Sequence, residues 1–282
     1  VSADDFRARF MFEAHDIRGE IVRLDETLRT VLSHHDYPPL AAGLLGEALA
    51  AAALLTGTLK FEGLLTLQAR GEGPLTLLVA ECGHRGTLRG VVRHEGALPD
   101  APLAQLLGAG HLSITIDPAG GQRYQGIVPL DGMSLAECIE HYFRQSEQLR
   151  TRLWLVTGGG MAAGLLLQEL PARQGGDADA WNRLCQLADT VTAEELLGLA
   201  PEQLLHRLYH EEDVRLFDSD PLAFACSCSR ERIAAALRSL GPAELRSILA
   251  EQGQVETTCE FCHKTRRFGP EDIQALLGDT PA

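Results

Sequence analysis

Four cysteines close to the C-terminal end constrain this chain more than any other feature. They stand as Cys226-Ser227-Cys228 and Cys259-Glu260-Phe261-Cys262, with thirty residues between the pairs. Each pair can present two thiolates to one metal ion, and a set of four cysteines suits tetrahedral zinc, which takes sulfur at about 2.3 Å. Each pair is also close enough in sequence to close on itself as a disulfide, which would expel the metal. A closed structural zinc site is the default reading of such a set. A catalytic thioredoxin-type C-x-x-C is a weaker rival, because that motif sits beside a βαβ pattern and none surrounds Cys259. The C-x-C spacing of the first pair favours a switch over an inert knot. One intervening residue makes a small, strained ring, and strained disulfides are the more readily reduced ones.

Charge and cysteine usage narrow the setting. The formal charge is −14 over 282 residues, of which 45% are apolar, ample for a core. Residues 1–175 carry 15 basic and 20 acidic side chains, residues 176–220 carry 3 and 11, and residues 221–282 carry 7 and 8. More than half of the net charge therefore lies in a short stretch before the cysteine module. No basic face is offered to a phosphate backbone, so nucleic acid is not an expected partner. Seven cysteines, with Cys82, Cys138 and Cys185 lacking a close sequence partner, suit a reducing cytoplasm. Asp4, Asp5, Arg7 and Arg9 leave no apolar leader in the first ten residues. The apolar segment Leu40–Leu55, interrupted by Gly43, Gly46 and Glu47, reads as too short and punctuated for a bilayer. A soluble cytoplasmic protein without a membrane partner is expected.

The pattern along the chain predicts an α+β N-terminal domain with a mixed sheet and packed helices (1–175), an acidic, metastable helical linker (176–220) and a small C-terminal four-cysteine zinc domain (221–282). Helical periodicity runs over Ile21–Ser33 and Leu40–Thr56, the second rich enough in Ala and Leu to be buried on most sides. Strands are predicted at Lys60–Arg70, Leu75–Cys82, Leu88–Arg93, Leu112–Asp117 and Arg123–Leu130, separated by glycine turns. Ser134 with Glu137 forms a capping box that opens a helix to about Gln148. Arg152–Thr157 and Leu165–Leu170 read as a hairpin around Gly158–Gly160, and Gln174–Asp177 as the domain boundary. Three short helices follow: Ala180–Ala188, one behind a Thr192/Glu195 capping box, and one opened by Pro201. Their apolar faces are thin: Trp181, Leu184 and Leu187, then Leu196 and Leu197, then Leu204, Leu205 and Leu208. Isolated helices this short are marginal, so docking must hold them. In the last module Ser229, Pro242 and Pro270 open helices to Arg238, Ala250 and Leu277. A domain of that size with few aromatics needs a staple, and zinc binding and folding should be one event there.

Other candidates are weak. His206 and His210 lie at i, i+4 on one helix face, but Arg207 stands where a metalloprotease helix needs Glu. His34-His35-Asp36 reads as a helix end. The triple glycine 158–160 lacks the Gly-Lys-Ser/Thr of a phosphate loop. Ser33, Ser134 and Ser146 have no convincing triad partner, so no enzyme is expected.

The residues resemble one known family, the redox-regulated bacterial holdase chaperones, often called the 33-kDa heat-shock protein or 33-kDa chaperonin family. The match is strongest at Cys226-Ser227-Cys228-Ser229-Arg230-Glu231-Arg232 with Cys259-Glu260-Phe261-Cys262. It extends through Arg18-Gly19-Glu20, Thr58-Leu59-Lys60-Phe61, Tyr124-Gln125-Gly126, Tyr142-Phe143-Arg144-Gln145-Ser146-Glu147-Gln148 and Leu208-Tyr209-His210-Glu211-Glu212. Three departures stand out. Arg150 replaces the usual Pro before Thr151, the Gly158–Gly160 hairpin is shorter than in some members, and Lys264–Arg267 lacks the usual Tyr before Phe268. The resemblance implies a chaperone that is inactive when reduced and loaded with one zinc on Cys226, Cys228, Cys259 and Cys262. Oxidation by hypochlorite, or by peroxide with heat, would close Cys259–Cys262 and Cys226–Cys228 and release the metal. The linker would then unfold, homodimers would form, and unfolded client proteins would be held without ATP. A zinc-ribbon nucleic-acid-binding protein and a thiol oxidoreductase are the alternatives.

Overall fold

The computed structural model describes residues 5–59, 62–130, 134–171, 177 and 179–277. The chain divides into two units, Val1–Ala225 and Cys226–Ala282. The boundary expected at Gln174–Asp177 lies, Asp177 apart, outside the described residues.

In the first unit, β1 (Phe6–Phe12) and β2 (Ile17–Leu24) precede α1 (Glu26–Leu32) and α2 (Pro39–Thr58). Then come β3 (Gly63–Gly71), β4 (Leu75–Gly83), β5 (Thr87–His94), the short α3 (Leu103–Leu107), β6 (Gly110–Pro118) and β7 (Tyr124–Pro129). Helix α4 (Leu135–Tyr142) runs into a π-helical turn, Phe143–Glu147, before the hairpin of β8 (Thr151–Gly158) and β9 (Met161–Glu169). Helices α5 (Ala180–Ala188), α6 (Ala193–Gly198) and α7 (Pro201–Tyr209) lead to three short strands, β10 (Val214–Leu216), β11 (Asp220–Pro221) and β12 (Ala223–Phe224).

Two six-stranded sheets result. One has the order β10-β1-β2-β9-β8 with β11 also on β1; the other runs β12-β5-β4-β3-β6-β7. The second is mixed, because β12 lies parallel to β5. Helix α2 packs against strands of both sheets. Its Ala and Leu side chains, Leu45, Leu49, Leu54 and Leu55 among them, are buried almost completely. A Cβ on Gly164 would come 2.7 Å from Leu54, so glycine on β9 is what lets the helix lie down there. At twenty residues α2 is long and apolar enough to cross a membrane, which exceeds the expectation from Leu40–Leu55, yet most of it is buried inside the unit.

The predicted Ile21–Ser33 helix is corrected. Ile21–Leu24 belongs to β2, and only Glu26–Leu32 is helical. Ile21, Leu24, Leu28 and Val31 mimic a helical stripe, but β2 pairs with β1 and β9 on both sides, and that pairing outweighs local propensity. The predicted strands appear as β3 to β7. The hairpin around Gly158–Gly160 is present, its second strand beginning at Met161. Both capping boxes, Ser134/Glu137 and Thr192/Glu195, are formed. The helix predicted to Gln148 is α-helical only to Tyr142.

The second unit holds α8 (Arg230–Arg238), α9 (Pro242–Gln252), a hairpin of β13 (Val255–Thr258) and β14 (Thr265–Phe268), and α10 (Pro270–Leu277). The helices follow the sequence; the hairpin has no counterpart in the sequence pattern. Its core rests on Leu237, Leu245, Val255, Phe268 and Ile273, too little apolar burial for a domain this small without a staple.

Candidate metal centre and the face beneath the linker helices

The β13–β14 hairpin presents Cys259 and Cys262 in its turn, while Cys226 and Cys228 lie in the extended segment before α8. The turn is tight: Cys259 N–H donates to the Lys264 carbonyl at 3.1 Å and His263 N–H to the Cys259 carbonyl at 2.8 Å. His263 takes a φ of 50° to achieve it. The Ser229 hydroxyl caps α8 by accepting from Arg232 N–H at 3.2 Å, and the Arg232 guanidinium donates to the Ser227 hydroxyl at 2.6 Å. Arg230 joins the two halves. It donates to the Arg267 carbonyl at 3.0 Å, pairs with Asp272 at 2.8 Å and stacks over Phe268 at 4.4 Å.

All four sulfurs lie within 4.8 Å of one another. Two of the separations cross between the pairs, Cys228 to Cys262 at 3.2 Å and Cys226 to Cys259 at 3.7 Å. Sulfurs bound 2.3 Å from a tetrahedral centre stand about 3.8 Å apart, so the cluster matches that demand. Among the described residues, this is the one group of three or more His, Cys, Asp or Glu able to hold a metal ion. Burial pushes the Cys228 and Cys262 thiols up, and at Cys228 the neighbouring sulfurs add to the effect. A bound cation reverses that logic, since a coordinating thiol is deprotonated outright. No disulfide is present among the described residues, which include all seven cysteines.

In the first unit, helices α5 to α7 are docked on one face of the first sheet. Alternation along the strands builds that face from Phe10 and Phe12 of β1, Ile17 and Ile21 of β2, and Leu165 and Leu167 of β9. Against it lie Trp181, Leu184, Leu196, Leu204, Leu205 and Leu208, as the sequence predicted, joined by Cys185 and Tyr209, which it did not. Tyr209 stands edge-on to Phe12 at 4.9 Å and donates to the Leu184 carbonyl at 3.3 Å. Ion pairs offset part of the acidic charge of this stretch. Arg152 and the Trp154 indole both reach Asp189, at 2.9 and 3.0 Å. Arg183 reaches Glu212 at 2.9 Å, and Arg207 reaches Glu195 at 2.6 Å.

The family model of the Hsp33 protein matches residues 5–269. The chain belongs to the Hsp33 family. It is 55% identical over 281 residues to the 33 kDa chaperonin of Ectopseudomonas mendocina, covering 97% of this chain and 95% of that one. It is 51% identical over 284 residues to the 33 kDa chaperonin of Pseudomonas aeruginosa PAO1, with coverage of 98% and 96%. The crystal structure of the 33 kDa chaperonin of Thermotoga maritima superposes with a TM-score of 0.83 at 26% identity, over 97% of this chain and 98% of that one. Membership makes this Hsp33 chain a chaperone.

Remaining candidates fall into place in the Hsp33 fold. His206 and His210 stand edge-on at 6.1 Å with no third ligand beside them among the described residues. His34 packs on Phe224 and His35 on Tyr37. Gly159 and Gly160 serve the hairpin with φ of 61° and 79°. Cys82, Cys138 and Cys185 are buried, and burial raises the Cys185 thiol to about 11. Arg150 lies over Trp181 at 5.1 Å and donates to Asn182 at 3.2 Å, a fastening for α5.

Proposed function

We propose that this chain is a redox-regulated, ATP-independent holdase, built as a chaperone domain (1–175), a metastable linker (176–220) and a redox-switch domain (221–282). In the reduced protein Cys226, Cys228, Cys259 and Cys262 hold one zinc ion per chain, which supplies the positive charge that lets four thiolates share one small cluster. Hypochlorite, or peroxide with heat, would take two electrons from each pair of thiolates, being itself reduced to chloride or water, and close Cys259–Cys262 and Cys226–Cys228. No thiolate then remains to hold the metal, and a module with so small a core loses its staple. Cys226 follows directly on Ala225, whose N–H donates to the Leu88 carbonyl at 3.0 Å, so strain in the first pair is felt at the last residue of the first unit. Release of α5 to α7 uncovers both their own apolar faces and the face of Phe10, Phe12, Ile21, Leu165 and Leu167. That surface, in a cytoplasmic chain that pairs into homodimers when oxidised, holds unfolding clients without any chemistry.

The observation that carries this reading is the cluster of four sulfurs within 4.8 Å in a chain of a chaperone family. Light scattering of an unfolding client tests it, with reduced and oxidised protein side by side. Suppression by the oxidised form alone is expected; equal suppression by both would defeat the switch. The two alternatives have their own readouts: a salt-dependent gel shift for a nucleic-acid binder, and insulin reduction for a thiol oxidoreductase.

A further inference from the structure

Four of the segments that carry the family resemblance meet at a place the cysteine chemistry does not use. Arg18, Thr58, Leu59, Tyr124, Tyr142 and Glu147 line one cleft of about 260 Å³ in the first unit. Leu65 of β3 and Ile114 and Ile116 of β6 give it an apolar wall. The opposite wall is fixed, because Tyr142 occupies the space beside Gly126, where a Cβ would come 2.2 Å from its ring.

Among the described residues that line it, Arg18 is the one cation. Arg18 donates through Nε and Nη2 to Gln168 Oε1, at 3.1 and 2.5 Å. Gln168 is itself buried and donates to Thr151 Oγ1 at 2.9 Å, so the guanidinium is held in one orientation by a neutral group. The nearby Glu20 carboxylate is taken by Arg9 at 2.9 Å. Glu147, also at the cleft, accepts both tyrosine hydroxyls, Tyr142 at 2.8 Å and Tyr124 at 3.1 Å. Among the described residues no carboxylate is hydrogen-bonded to Arg18, and three of its five N–H donors remain for something else. Burial lowers the pKa of this guanidinium, the attraction of Glu20 opposing that shift and the repulsion of Arg9 adding to it.

We propose that the cleft binds a small amphipathic anion, a medium-chain carboxylate with its head on Arg18 and its tail along Leu65, Ile114 and Ile116. An apolar pocket with few, fixed polar groups is how proteins orient such ligands, and a guanidinium matches a carboxylate in geometry and charge.

Decanoate and decanol are the probes, titrated calorimetrically into the reduced full chain, with methyl NMR signals of Leu65 and Ile114 followed in parallel. One decanoate per chain should bind saturably, shifting those methyl signals, and decanol should bind about tenfold more weakly or worse. Arg18→Gln should bring decanoate down to the level of decanol, and Arg18→Lys should keep part of the difference. Equal binding of decanoate and decanol to the unsubstituted chain would overturn the proposal, whatever the variants do. So would absence of saturable binding, or shifts confined to methyl groups outside the cleft.

Discussion

Tyr209 is the place to test whether undocking of the linker helices is itself enough for activity. Its ring is buried against Phe12 and Phe10, and its hydroxyl ties α7 to α5 through the Leu184 carbonyl at 3.3 Å. Tyr209→Phe removes one neutral hydrogen bond, about 0.5–1.5 kcal/mol. Tyr209→Ala removes the ring as well, and large aromatic truncations cost about 3–5 kcal/mol. At about 1.4 kcal/mol per decade, the second change raises the undocked population by roughly two to three decades or more. The assay is hydrogen exchange over residues 180–209 in reduced, metal-loaded protein, read beside light scattering of an unfolding client. Tyr209→Phe should stay protected and inactive. Tyr209→Ala should lose protection in α5 to α7, keep it in β1, β2 and β9, and hold clients without oxidant. Lost protection together with no holdase activity would refute the reasoning, because the apolar face would then be open and idle.

Four further outcomes are expected. Cys259→Ser should lose tight zinc in metal analysis of the reduced protein; full retention would mean another ligand set. Timed alkylation with peptide mapping should find Cys259–Cys262 closed before Cys226–Cys228, since the C-x-C ring is strained and Lys264, Arg266 and Arg267 favour thiolate beside Cys262. Replacing Cys82, Cys138 and Cys185 together should leave oxidant activation in place, as each behaves as a small buried hydrophobe. Glu47, on the buried helix α2, has its pKa raised by burial to about 7, above its unfolded value. The folded state therefore binds its proton more tightly, and stability falls as pH rises from the unfolded pKa through about 7. Glu47→Gln should remove that slope, on the order of 3 kcal/mol between its ends, in urea melts at pH 5 and pH 8.

Local signals were the legible ones. The capping boxes at Ser134 and Thr192, the Ser229 cap and the prolines at 201, 242 and 270 fix helix starts through chemistry confined to a few residues, and those helices stand where predicted. Strands buried on two faces were legible only in part, β9 from Leu165 onward and not from its start at Met161. In β9 nearly every residue is buried, Ala163, Leu165 and Leu167 toward the linker helices and Ala162 and Leu166 toward α2, so the alternation that marks a strand is absent. The same loss of contrast hid β2 behind a helical stripe. For the cysteine centre, residue type and spacing named the four sulfurs. Their approaches across the two pairs, Cys228 to Cys262 and Cys226 to Cys259, depend on the β13–β14 turn and the α8 cap acting together, and no local pattern encodes that. The apolar face under the linker was invisible for a related reason, since it is assembled from strands at opposite ends of the unit's sequence.

The chain leaves the first sheet at Glu169 of β9 and returns to its edge at Val214, where β10, and then β11, pair with β1. Helices α5 to α7 are therefore a strap fastened at both ends, not a tail. When a strap lifts, its ends stay in register and the segment becomes a closed loop. Closing such a loop depends only weakly on its length, about 0.6 kcal/mol for each doubling. Redocking is then a reaction of one chain with itself, unaffected by dilution, and a protein bound to the open face opposes it only in proportion to its own concentration and affinity. On the proposed function, such a chain lets go of its client by refastening its own strap once the thiols are restored.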